Sequence, residues 1–162
     1  MTSPDPDDES PWLDPAQLDF AEPLQRIGAG AVDWALALAV AGGAASVASR
    51  IDVSGEGPEL VAATIAVWFV HLFIYPALTG MRGLTPGKAL FGIRVITADL
   101  GELPPGYSAA LRRNLPLWIG VVPFVGAYAV ILILVTNALV VAKDPYHRSL
   151  YDRVGNTFVV RP

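Results

Sequence analysis

The chain has 162 residues, of which 53% are hydrophobic and 16% charged, with a formal net charge of −4 and no cysteine. Soluble domains run near 25% charged, so the composition argues against a disordered regulator or an ordinary soluble enzyme and points to one compact membrane unit. The absence of cysteine excludes a disulfide scaffold, a thiolate zinc site, an iron–sulfur cluster and a cysteine nucleophile.

Residues 1–23 hold acids (Asp5, Asp7, Asp8, Glu9, Asp14, Asp19, Glu22) and prolines but no Lys or Arg. Such a segment reads as a disordered, solvated tail. Trp12, Leu13, Leu18 and Phe20 are its apolar exceptions and form a candidate docking motif. A secretory leader begins with a basic stretch. This tail is acidic, so the first apolar run reads as a retained helix.

The remainder, 24–162, reads as an all-α membrane bundle with helices near 27–49, 60–78, 108–122 and 124–142. The first run, Ile27 to Ser49, contains one charge, Asp33. At 1.5 Å per residue it is about 34 Å long, enough to cross a hydrocarbon core of about 30 Å. The second, Leu60 to Leu78, contains His71 and ends at Pro76 and Gly80. Between the second and third runs the chain is not membrane-like. Phe91 to Thr97 is rich in β-branched residues and reads as a strand. Thr157 to Val160 reads as another, and the two could pair as a short cytoplasmic ribbon packed on helix ends.

The third run, Leu115 to Ala142, is interrupted by Pro116, Pro123 and Gly126. It fits either an interfacial helix followed by one kinked span, or a helical hairpin with its tip at 123–126. Lys and Arg in short loops concentrate on the cytoplasmic side. A single span divides the bases almost evenly. A returning run places ten on one side and Arg50 alone on the other. The hairpin, with both termini in the cytoplasm, follows.

A carboxylate inside a span costs about 2.5–3.5 kcal/mol on insertion scales. Asp33 is therefore the first candidate for ion or proton handling, or a structural tie closing an interhelical hydrogen bond. His71 lies at a similar depth, as do Thr136 and Asn137 if the C-terminus is inside. These four form a candidate ion-binding layer. Arg26 lies seven residues before Asp33 and can snorkel at the boundary. Ala31, Ala35, Ala39 and Gly43 form a small-residue stripe, suited to tight packing or to homo-oligomerisation.

Gly83-Leu-Thr-Pro-Gly-Lys88 is not a nucleotide loop: three residues separate its glycines and Ala89 follows the lysine. Lys88 reads instead as a contact for anionic lipid head groups. Asp144, His147 and Asp152 match no strong metal-ligand spacing, so no metal or cofactor is expected, and a cytoplasmic ion-pair network with Arg148, Arg153 or the Arg112–Arg113 pair is the expected role of this stretch. The bases are scattered rather than gathered in a stripe, which excludes nucleic acid. No nucleophile–base motif is present, so no enzymatic activity is expected.

Three stretches together resemble the RDD family of integral membrane proteins. They are Arg26 to Trp34, Gly83 to Val95 and Ser149 to Val160. The resemblance covers about 24–162 and assigns Arg26, Asp33 and Asp152 as the naming arginine and aspartates, with Thr85, Gly87, Lys88 and Gly92 in the loop motif. Tyr151 stands where the family often has His, and Asn156 where Gly is common. The resemblance implies a bacterial inner-membrane protein, with transport of unidentified ligands the usual suggestion and cation/proton antiport linked to some members. Two functions stand open. One is a small transporter of a cation, proton or solute. The other is a non-enzymatic scaffold or accessory subunit of a larger membrane complex.

Overall fold

A computed structural model describes residues 15–51, 58–99, 101–122 and 125–162. Helix α1 runs Pro23–Ile51 and α2 runs Pro58–Phe69. A π-helical turn, Val70–Ile74, joins α2 directly to α3, Tyr75–Arg82. Proline at the first helical position suits α1 and α2, because its missing N–H is an orphan donor there anyway. The π turn has a local cause. Pro76 has no N–H for the carbonyl of Leu72, and its ring crowds that carbonyl, so the ladder loosens over this turn.

Then follow α4 (Pro86–Leu90), β1 (Arg94–Thr97), α5 (Tyr107–Asn114), a 3-10 segment (Leu115–Val121), α6 (Gly126–Lys143), α7 (Leu150–Gly155) and β2 (Thr157–Val160). The chain is mostly helical, and two stretches, Pro23–Ile51 and Pro58–Arg82, are long and apolar enough to cross a membrane. A third apolar helix, Tyr128–Lys143, is shorter. The outward faces carry exposed Leu38, Val47, Ile65, Phe69, Ile131 and Leu139. Apolar side chains in this density on an outer face suit hydrocarbon rather than water.

Helix α1 runs in long contact with α2 and buries Ala29, Asp33, Ala37 and Ala41 at four-residue spacing; Ala37 meets Val70 and Tyr75, while Ala29 and Asp33 face α4 and the sheet. The neighbouring stripe of Ala31, Ala35, Ala39 and Gly43 stays exposed. The third apolar run differs from two regular helices over 108–122 and 124–142. Regular helix stops at Asn114, and Pro116 sits in a tighter 3-10 segment. Gly120 of that segment lies against Trp68 of α2 and Val130 of α6. Of the expected hairpin tip at 123–126, residues 123 and 124 lie outside the described residues, and Gly126 is the first residue of α6.

Strands β1 and β2 pair antiparallel, with Arg94 opposite Val160 and Thr97 opposite Thr157. Phe20 extends this ribbon through a bridge to Val160, and Ala21 N–H donates to Val159 O at 3.0 Å. Residues 1–14, with Trp12 and Leu13, lie outside the described residues. Residues 15–22, grouped with them as a solvated tail on sequence, are packed. Leu18 and Phe20 cover Ile96, Phe158 and Val160, while Ala21 joins Ala29, Ile93, Val95 and Val159 in a core beneath the sheet. The approach to α1, the stretch after α3 and the end of the chain therefore meet at one face of the molecule.

Candidate functional site

Two charge centres sit where that sheet meets the helices. The first is Asp152, which has no solvent exposure. It stands at the third position of α7, and Ser149 and Asp152 form a reciprocal capping box. One Asp152 oxygen accepts from Ser149 N at 2.8 Å, Ser149 Oγ at 2.7 Å and Arg26 Nη1 at 2.8 Å. The other pairs with Arg113. Arg26 also reaches Ala21 O through Nε and Val159 O through Nη2. Arg113 donates to Thr157 Oγ1 at 3.0 Å. One carboxylate thus ties together α1, α5, α7 and β2. Burial alone pushes the Asp152 carboxyl up, but Arg113, Arg26 and the Ser149 donors outweigh it and hold the group below its ordinary range.

The second centre is Asp33. Its Oδ2 accepts from Thr85 Oγ1 at 2.5 Å and its Oδ1 accepts from Gly87 N at 2.8 Å. Thr85 is the N-cap of α4, so Asp33 supplies a second cap to that short helix from across the interface. Gly87 permits the approach. A Cβ there would stand 2.1 Å from Ala29 O and 2.9 Å from Asp33 Cγ. Gly92 closes the turn after α4 with φ of 62°, a conformation that glycine adopts without steric cost. Lys88 Nζ donates to Thr85 Oγ1 at 3.1 Å and lies 4.0 Å from Asp33 Oδ2. Burial pushes the Lys88 ammonium down to about 8; Arg113 and Arg26 add to this, and Asp33 and Asp152 oppose it.

A family model described as the RDD family matches residues 20–156. The chain belongs to the RDD family. No curated protein matches it, and no solved structure does. Arg26, Asp33 and Asp152, the three residues expected from the resemblance, are all brought to the same end of the bundle, although Arg26 pairs with Asp152 and not with Asp33.

The layer expected of Asp33, His71, Thr136 and Asn137 forms only in part. Asp33, His71 and Asn137 line one cavity of about 460 Å³. Thr136 is exposed on α6 and does not line it. The cause is angular: adjacent helix positions differ by about 100°, so Thr136 and Asn137 cannot both face inward. His71 makes no hydrogen bond to Asp33. Its Nδ1 lies 3.1 Å from Val67 O, which can only accept, so Nδ1 carries the proton. Its ring stacks on Trp34 at 3.9 Å and meets Tyr75 edge-on at 5.2 Å. Asn137 Oδ1 accepts from Leu150 N at 2.9 Å, holding α7 against α6.

Lys88 is drawn inward to Thr85 and Asp33, with its side chain 17% exposed, rather than standing free at a head-group surface. The expected ion pairing of the C-terminal acids is present, with Arg113 on Asp152 and Arg153 on Asp144, whereas sequence reasoning assigned no site role to Tyr75 or Tyr151. Tyr75 donates to the Asp33 backbone carbonyl at 2.5 Å, and Tyr151 lines the cavity. A signal for the α7 arrangement was available, since Ser149 and Asp152 have the spacing of a capping box. Nothing local marks Arg113 over Arg112. Among the described residues, no group of three or more His, Cys, Asp or Glu is placed to hold a metal ion.

Proposed function

We propose that this RDD protein is a multi-pass protein of a bacterial cytoplasmic membrane, with both ends in the cytoplasm, that binds a small solute in its cavity as part of a transport process. The cavity carries the reading. Its volume of about 460 Å³ lies within the usual range for ligand sites, about 300–1,000 Å³. It combines apolar wall with Arg26, Lys88, Arg113, His71 and Asn137. A cation or proton path through Asp33 finds less support, because both carboxylate oxygens already hold α4.

The topology rests on a geometric constraint. Arg113 precedes the third apolar run and Asp152 follows it, yet the two are paired. Arg26, before the first run, joins the same pair. A third run that begins and ends at one face makes an even number of crossings, which supports a run that enters and returns over one that crosses once. The side holding ten of the eleven bases is then cytoplasmic.

The accessory-subunit reading keeps one specific support, which is that all three motif residues serve as ties between elements. Cysteine labelling separates the two, because the natural chain has no cysteine. Ala138→Cys places a thiol on the cavity wall. A transporter exposes it in turn to impermeant maleimide from both sides of sealed vesicles. Labelling from one side alone favours the accessory subunit. Ser54→Cys and Glu102→Cys should label from opposite sides, and labelling from the same side refutes the topology.

A further inference from the structure

The charges around the cavity do not balance. Arg26, Lys88 and Arg113 stand against Asp33 and Asp152, all of them mostly buried, so one positive charge is left over. Asp152 does not line the cavity, so the wall presents the three cations with one carboxylate. Asp33 and Asp152 are saturated by the contacts above. Lys88 is not. Among the described residues its ammonium makes one side-chain hydrogen bond, to Thr85, out of three donors. A second unspent group lies on the same wall. The Tyr151 hydroxyl is buried with no hydrogen-bond partner, and burial holds its proton on, to about 12. A buried cation with unspent donors and a buried hydroxyl without a partner are each costly, and an anion that accepts from both lowers both costs.

Beside the polar side chains of His71, Asn114 and Asn137, the wall has an apolar part made by Ile27, Trp34, Leu117, Leu134, Ala138 and Val141. Helix α1 meets α6 only locally, in contrast to its long contact with α2. The cationic end of the cavity is thus continuous with an apolar seam between α1 and α6.

We propose that the cavity binds a single-chain anionic amphiphile, its carboxylate or phosphate head on Lys88 and Tyr151 and its alkyl chain along the α1–α6 seam. This rests on the solute-binding reading and names the chemical class of that solute. A free inorganic anion would use the head-group end alone, and a cationic amphiphile would meet the surplus positive charge.

The test is equilibrium binding of radiolabelled palmitate to the purified full-length protein in neutral maltoside micelles, with competitors. Saturable binding is expected, displaced by dodecyl phosphate and not by inorganic phosphate or dodecyltrimethylammonium. Lys88→Met should lose about 10- to 100-fold in affinity, the size of one hydrogen bond to a charged group. Tyr151→Phe keeps the ring and should lose a few-fold, so the inference does not depend on one variant folding. Equal displacement by the cationic amphiphile, displacement by inorganic phosphate, or unchanged affinity in both variants would overturn it. Gly30→Leu distinguishes this from failure of the cavity reading, because Gly30 lines the cavity and a Cβ there meets open space. If wild type binds radiolabelled dodecanol as well as palmitate and Gly30→Leu binds neither, the cavity stands and the anionic class falls. If Gly30→Leu changes binding of no probe, the cavity reading falls with it.

Discussion

Replacing Asp152 by Asn should be among the most damaging single changes outside the helix cores. The substitution keeps the shape and removes the charge. Arg26 and Arg113, with side chains 10% and 12% exposed, then lose the only carboxylate they share. The new amide also points two donors at groups that themselves donate. Breaking a buried ion pair by removing one partner costs about 3–5 kcal/mol, mostly because a charge is left buried and uncompensated. At about 2–4 °C per kcal/mol for a chain of this size, the melting temperature should fall by about 6–20 °C. Thermal unfolding in detergent micelles, followed by circular dichroism, reads this directly. Asp19→Asn is the matched control, since Asp19 pairs with Arg161 while its side chain is 62% exposed. Exposed pairs contribute about 0–1 kcal/mol. An Asp152→Asn protein melting as Asp19→Asn does would refute the claim that this carboxylate holds this end of the bundle together. The pH dependence has a definite sign. The folded Asp152 carboxyl lies below its unfolded value, so its contribution is complete above about pH 4 and is lost as pH falls through the folded value.

Other outcomes follow from the second charge centre. Asp33→Asn leaves one oxygen for Gly87 N–H but turns an amide toward Thr85 and Lys88; a cost of about 1–3 kcal/mol should appear in the same melts, with Thr85→Ala non-additive in a double-mutant cycle. Gly87→Ala should cost more than the about 1 kcal/mol that glycine-to-alanine normally gains within a helix, reversing its sign, because the new methyl meets Ala29 O; an increase in melting temperature would contradict the close approach of α4 to α1. Lys88 is held near 8 when folded and near 10.5 when unfolded. Between those values the unfolded chain binds more protons, so stability should rise with pH from about 8 upward, and the rise should vanish in Lys88→Met. Melts of the two proteins across this range, with Arg26, Asp33, Arg113 and Asp152 unchanged, isolate the effect.

Much of this arrangement was readable in advance because its causes are periodic or local. The two long apolar helices and both strands follow from residue patterning, although the expected Phe91–Thr97 strand begins only at Arg94, and its pairing with Thr157–Val160 needed only that both lie on one side. The partners of Asp33 were not readable. Helix α4 has five residues, too few for any helical period to reveal which face it buries. Depth along the helices suggested His71 as partner, but depth leaves the angle around each axis undetermined. The π turn at Val70–Ile74 turns His71 onto Trp34 instead. Arg113 was legible only as one of a pair: Arg112 and Arg113 were both candidates for pairing with the C-terminal acids, and only the fold separates the buried Arg113 from its neighbour. The 15–22 stretch continues an acidic tail, and its apolar residues gain their meaning from a sheet formed by the other end of the chain.

Arg26 and Asp152 are 126 residues apart in the chain. A ribosome adding about 5–20 residues per second makes the arginine about 6–25 seconds before its counter-charge exists. During that interval α1 is already long enough to enter the bilayer, while the guanidinium at its base has nowhere to be buried. It must wait among lipid head groups, and so must Arg113. Asp152 therefore closes this end of the bundle late in synthesis. A chain interrupted before Asp152 would carry two stranded arginines and an uncovered core, a state that a protease reaching this end of the bundle would distinguish from the folded protein.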